Sequence, residues 1–268
     1  MIVRIDDPDD PRLEPYRAVR ERDLVGRDRL FVAEGRVVLE KAIRAMPEAL
    51  ESVLVAAHRL DSLADVLAGL PVATPVYAAG QAAMDAVVGF PIHRGVLAVG
   101  RRPERDAAAL LDALPAQALV VGLVGVANHD NMGGILRNAA AFGAAAVLLD
   151  ETCCDPLYRK AIRVSVGAAL TTPFARAGGA AAMVALLQGH GFEVVALSPR
   201  GEADLHELAA APRTAALFGA EGPGLPQDVL DRVRTVRIAM SGGFDSLNVA
   251  TTSGIVLHNL ISRRLAGP

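Results

Sequence analysis

Tryptophan is absent from the 268 residues, and aromatics amount to only 4%. That leaves little material for base-stacking platforms or ring-lined sugar sites. Cysteine occurs twice, as the adjacent Cys153 and Cys154. Adjacent thiols cannot staple a fold, which points to a reducing compartment. Although 52% of the residues are hydrophobic, no run of 18 uncharged apolar residues appears, so no membrane span is expected. The N-terminal MIVRIDDPDDPR is too acidic for a signal peptide, and a cytoplasmic protein is expected. An excess of positive charge is also missing, since 27 Lys+Arg face 30 Asp+Glu. This excludes a uniformly polycationic nucleic-acid binder but leaves room for a local basic surface. Lysine is nearly absent: Lys41 and Lys160 are the only two, so 25 of the 27 cations are arginine. Arginine's planar fork suits phosphate contacts.

What is present reads as two domains. Residues 1–105 suggest a small α/β layer domain, 106–115 a linker, and 116–268 a larger domain. The charged, proline-punctuated Arg101-Arg102-Pro103-Glu104-Arg105-Asp106 marks the boundary. Residues 1–112 hold 15 Lys+Arg and 18 Asp+Glu, while the remainder holds 12 of each, so the acidic excess lies in the first part. In the first part, strands are expected at 52–56, 75–78 and 95–99, with an extended start at Leu30 turning helical from Val37. In the second, continuous apolar strands at 118–126, 145–149, 193–197, 214–219 and 235–240 alternate with helices at 131–142, 158–170, 180–190 and 246–265. This pattern specifies an α/β fold with a parallel sheet covered on both faces.

Parallel sheets carry ligand loops at the carboxyl ends of their strands. Three such loops stand out: Asn128-His129-Asp130-Asn131-Met132-Gly133-Gly134 with Arg137 beyond it, Gly219-Ala220-Glu221-Gly222-Pro223-Gly224, and Ser241-Gly242-Gly243-Phe244-Asp245-Ser246-Leu247-Asn248. A nicotinamide dinucleotide fold is the obvious rival, with Asp150 ending the second strand. Yet the first loop lacks G-x-G-x-x-G, and Pro223 removes an N–H from the second. No Walker-type loop exists. Ser246, before a long apolar helix, is expected to cap it near Asn248. Asn131, Arg137, Glu221, Ser246 and Asn248 would then share one rim that contains no metal-ligand cluster and no nucleophile–His pair.

Asn131-x-Gly133-x-x-x-Arg137-x-Ala139, the glycine loop with Glu221, and Ser246-Leu247-Asn248-Val249 resemble, in order, three motifs of the SpoU/TrmH-type RNA ribose methyltransferases of the SPOUT superfamily. Ser165-Val166-Gly167-Ala168 before Pro173-Phe174 fits a further stretch. Phe31-Val32-x-Glu34-Gly35 and Gly95-Val96-Leu97-Ala98 resemble the small RNA-binding domain many members carry in front.

The resemblance implies a C-terminal trefoil knot, S-adenosylmethionine as cofactor, a homodimer, no metal, and methyl transfer to a ribose 2′-hydroxyl of ribosomal or transfer RNA. It implies catalytic roles for Asn131, Arg137, Glu221, Ser246 and Asn248. Leu197, Gly219, Glu221, Gly222, Ile238, Met240 and Leu247 would line the cofactor. Because guanidinium groups do not give up their proton, Arg137 is expected to clamp RNA phosphate and 2′-oxygen, reaching across from the second protomer. Arg94, Arg159 and Arg163 are candidate RNA contacts, the last two being four apart on one helix face. The alternatives are a non-catalytic RNA-binding or assembly factor on the same scaffold and, more distantly, a dinucleotide-dependent oxidoreductase.

Overall fold

Apolar strands of four to six residues, each followed by a helix, can bury both faces only in a parallel sheet. The computed structural model, which describes residues 1–17, 29–88, 95–208, 211–241 and 246–266, shows such a sheet in the second half of the chain. Its strands are β6 (Ala118–Leu123), β7 (Ala146–Leu149), β8 (Phe174–Arg176), β9 (Glu193–Leu197), β10 (Ala203–Asp204), β11 (Arg213–Phe218) and β12 (Arg234–Arg237). They lie in the order β10-β12-β9-β11-β6-β7-β8, parallel throughout. Alternation splits each strand between two cores. Val120, Leu148, Val194 and Leu217 face a cluster with Leu111, Met183 and Leu187 from helices Ala107–Asp112 and Ala180–Gly189. On the other side, helix Val249–Ala266 packs on β11 and on helix His129–Ala141. Beyond the expected strands, β8 and the two-residue β10 are present, too short to carry an alternation signal.

The first half of the chain contributes β1 (Ile2–Ile5), β2 (Leu30–Glu34), β3 (Leu50–Ala56), β4 (Val76–Ala79) and β5 (Val96–Arg101) in the order β1-β4-β3-β5-β2. β1, β4 and β3 run parallel, whereas β5 pairs antiparallel with β3 and β2. Ile5, Leu13, Tyr16, Leu54, Met84 and Leu97 form its core. The Tyr16 hydroxyl lies 2.5 Å from Ser52 Oγ, and burial pushes its pKa upward.

The division into compact units is not a single cut near residue 105. One unit contains 1–103 and 155–171, and the other contains 104–154 and 172–268. Three polar links tie the 155–171 excursion into the first unit: Arg102–Asp155, Arg159–Glu34, and Lys41 Nζ to the Val166 carbonyl at 2.7 Å. The helix expected over 158–170 is two pieces, Arg159–Val164 and Ala168–Thr171. Between them Val166 (φ 52°) and Gly167 (φ 78°) are left-handed. A β-branched residue is seldom found there, so this break could not be read from hydropathy.

Candidate active site

In an open α/β sheet the ligand crevice opens where successive connections leave in opposite directions. Here that point lies between β6 and β11, neighbours in register with Leu123 opposite Phe218. From β6 the chain proceeds outward through β7 and β8, while β9, β10 and β12 lie beyond β11. The loop after β6 and the glycine loop after β11 therefore rise side by side. Helix Val249–Ala266 brings the third loop to the same place by packing on helix His129–Ala141.

Three side chains meet there. Asn131 Nδ2 donates to Glu221 Oε1 at 2.5 Å. Asn248 Nδ2 donates to Asn131 Oδ1 at 2.9 Å and to Glu221 Oε1 at 3.3 Å. The Asn248 carboxamide has a second duty, because its Oδ1 accepts from the N–H groups of Ala250 (2.9 Å) and Thr251 (3.2 Å). Asn248, rather than the expected Ser246, thus caps the last helix, which begins at Val249 instead of 246. The amide side chain can accept at a helix start and donate into the cluster at once, which a hydroxyl could not match with two N–H donors of its own. Asn128 caps helix His129–Ala141, its Oδ1 accepting from the N–H groups of Asp130 and Asn131. Asn131 sits in the first turn, buried.

The glycine loop is held by its own backbone. Gly224 N–H donates to Ala220 at 3.0 Å, and a side chain at Gly219 would run into Gly224 and Leu225 at 2.3–2.4 Å. Gly222 adopts φ 86°, a conformation reserved in practice for glycine. The loop forms one wall of a cleft of about 1580 Å³ lined also by Leu197, Ile238, Met240, Ser246, Leu247 and Asn248. All seven residues expected to line a cofactor lie on this cleft. A second hollow of about 210 Å³, between Gly125–Asn128 and Ala220–Glu221, has Asn131 in its wall. Glu221 borders both.

Arg137 is not part of the cluster. Six residues at about 100° each turn it roughly 120° from Asn131 around the helix, leaving it exposed and without a hydrogen bond or ion pair among the described residues. The expected pairing of Arg159 with Arg163 also separates. Arg159 turns inward to Glu34 at 3.1 Å, with only 20% and 10% of the two side chains exposed, whereas Arg163 stays on the surface. The helix piece carrying both packs against β2, and that contact captures its first residue. Arg94 lies outside the described residues.

Asp150, which a dinucleotide fold would offer to a ribose, is 4% exposed and otherwise engaged. Its Oδ1 accepts from Gly125, Thr152 and Cys153 N–H, and its Oδ2 from the Thr152 hydroxyl. Burial alone would raise its pKa, but these donors more than reverse that and lower it. Burial, reinforced by Asp150, pushes the Cys153 thiol up to about 12. Hydropathy and spacing gave no sign of this tie between the loops after β6 and β7. Metal-ligand side chains group once among the described residues, at Asp204, His206 and Glu207. Asp204 there accepts from Arg237 Nε at 2.8 Å.

A family model described as the SpoU rRNA methylase family matches residues 118–258. An uncharacterized tRNA/rRNA methyltransferase of Mycobacterium bovis is 43% identical over 265 residues, covering 94% of this chain and 89% of the relative. A 23S rRNA (guanosine-2′-O-)-methyltransferase RlmB of Vibrio vulnificus is 33% identical over 181 residues, 65% of this chain and 72% of the relative. A solved RNA 2′-O ribose methyltransferase, 28% identical, matches with a TM-score of 0.80 over 98% of this chain and 100% of its own. An AdoMet-bound rRNA methyltransferase from Sinorhizobium meliloti shares the fold at 22% identity, with a TM-score of 0.83 over 98% of each chain. With the polar cluster at the switch point and a family match spanning all three loops, the chain belongs to the SpoU rRNA methylase family.

Proposed function

We propose that this chain binds S-adenosylmethionine in the cleft beside β9, β11 and β12 and methylates a ribose 2′-hydroxyl of ribosomal or transfer RNA. The observation that carries the reading is the Asn131–Glu221–Asn248 cluster standing between the large cleft and the small hollow. A two-substrate transfer needs polar groups that reach both sites, and Glu221 lines both. The cleft also fits the cofactor chemically. Leu197, Ile238 and Leu247 offer apolar surface to a ring, the glycine loop offers backbone edges for a neutral base and an amino-acid zwitterion, and Arg237 is already neutralised by Asp204.

When bound, the cofactor supplies an electrophilic methyl group on a sulfonium. The protein's task is to align the attacking oxygen and handle its proton, and positioning of this kind is worth several kcal/mol of barrier. Glu221 has Oε1 held by two amides, while its Oε2 makes no hydrogen bond among the described residues. Oε2 is placed to accept the hydrogen bond of the 2′-hydroxyl and to take its proton as the oxygen–methyl bond forms and the methyl–sulfur bond breaks, the electron pair leaving on the sulfur. Asn131 and Asn248 fix that carboxylate, and Ser246, on the cleft rim, orients the ribose. Arg137, exposed on the helix beside this site, completes the site of a second copy of the chain by clamping RNA phosphate, so the working form is a homodimer. The first unit, through Arg163 and neighbouring residues, holds the RNA. The family's trefoil knot belongs to this reading.

Mapping of 2′-O-methyl groups in RNA from cells with and without the gene tests the proposal. One or more ribose methyls should disappear with the gene and return on incubation with the purified protein and cofactor. An unchanged map would refute it, as would binding of NAD but not S-adenosylhomocysteine.

A further inference from the structure

We infer that Asn138, which lies outside all three loops, is a positioning residue for this active site, acting through Asn248. The inference rests on the methyl-transfer reading above. Asn138 lies seven residues, about two turns, beyond Asn131 and therefore on the same face of helix His129–Ala141. Half-buried, it spans the gap to the last helix. Its Nδ2 donates to the Ala250 carbonyl at 2.7 Å and lies 2.9 Å from Ser253 Oγ. The Ser253 hydroxyl in turn donates to the same Ala250 carbonyl at 2.8 Å, with Ser253 fully buried.

Ala250 is thereby held on both sides. Its N–H goes to Asn248 Oδ1, and the residue's carbonyl goes to Asn138 and Ser253. With Oδ1 pinned, the planar carboxamide can point Nδ2 in only one direction, toward Asn131 and Glu221. The two helices touch between these props, where Gly134 faces Ala250 so closely that a Cβ would stand 2.7 Å from Ala250 Cβ. Helix His129–Ala141 thus grips the start of helix Val249–Ala266 at two levels, and the lower grip sets the aim of Asn248. A helix-to-helix amide that served packing alone would not need to end on the second residue after an active-site asparagine.

The test uses the full chain in two measurements. In the first, methyl transfer is compared in Asn138→Ala, Asn248→Ala and the double variant, with the isosteric Asn138→Asp as a second probe that keeps the volume and loses the donor. Asn138→Ala and Asn138→Asp should lower kcat by at least about tenfold with KM for RNA within about twofold, a transition-state loss. In the Asn248→Ala background, Asn138→Ala should cost less than about twofold, because the residue through which it acts is gone. Multiplicative losses, or full kcat in both Asn138 variants, would overturn the inference. In the second measurement, the Asn248 side-chain amide is followed by NMR in asparagine-labelled protein. Its resonances should move and its hydrogen exchange quicken by about tenfold or more in Asn138→Ala; an unchanged amide would overturn the inference. An unreactive wild-type chain would refute the methyl-transfer reading instead, and the amide result would still decide whether Asn138 aims Asn248.

Discussion

Replacing Gly134 with alanine separates stability from activity, because the added methyl group falls between two helices rather than in a cavity. An ideal Cβ at Gly134 lies 2.7 Å from Ala250 Cβ, and comfortable carbon–carbon contact is about 3.7 Å. The helices must therefore part by about 1 Å. Overpacking of this kind costs about 1–3 kcal/mol, but alanine for glycine inside a helix returns up to about 1 kcal/mol. The net loss should be about 1 kcal/mol, or roughly 3 °C in Tm for a chain of this size. The catalytic cost is larger. Asn248 begins the displaced helix and holds Asn131 at 2.9 Å; moving it by about 1 Å should cost on the order of 100-fold in kcat. Thermal unfolding and initial-rate methyl transfer, measured on the same preparation, read both quantities. The double variant Gly134→Ala with Ala250→Gly removes the opposing methyl and should recover most of the rate at some cost in Tm. Wild-type kcat in Gly134→Ala, or no recovery in the double variant, would refute the reasoning.

Further outcomes follow from the same structure. Arg159→Ala leaves Glu34 buried and unpaired and should destabilise the chain by about 3 kcal/mol in denaturant unfolding. Arg163→Ala, on the exposed side of the same helix piece, should stay within about 0.5 kcal/mol of wild type and weaken RNA binding instead; equal stability losses would contradict the assignment. The folded pKa of Asp150 is lowered, so its contribution is present above the unfolded carboxylate value of about 4 and fades as pH falls through the folded value. Stability measured against pH should therefore drop more steeply below about pH 4 in wild type than in Asp150→Asn, and parallel curves would count against it. With its thiol near 12, Cys153 should be about one part in 10⁴ thiolate at pH 8 and escape alkylation in the native state. Rapid native labelling at Cys153 would show that its burial and its bond to Asp150 do not hold in solution.

The parallel sheet of the second half was legible because its strands are buried on both faces and leave runs such as ALVVGL and AVLL in the sequence. Glycines needed at Gly219 and Gly222 marked the loop that carries Glu221. Those signals are local: a few adjacent residues carry the strand, the turn or the cap propensity. Arg159 looked like half of an exposed stripe because periodicity counts turns and cannot see a buried carboxylate 125 positions away at Glu34. Asn248 displaced Ser246 as the cap of the last helix because both capping residues stand near its start and only backbone geometry selects between them. Asn138 carried no motif at all; its meaning arises from Ala250 and Ser253, more than a hundred residues later. Sequence alone thus determined which residue types meet at the carboxyl ends of the strands, because burial and turn chemistry are written within short windows. Tertiary structure alone decided which side chains touch and which arginines remain exposed, because the order β9-β11-β6 and the crossing of two helices join segments that no local pattern connects.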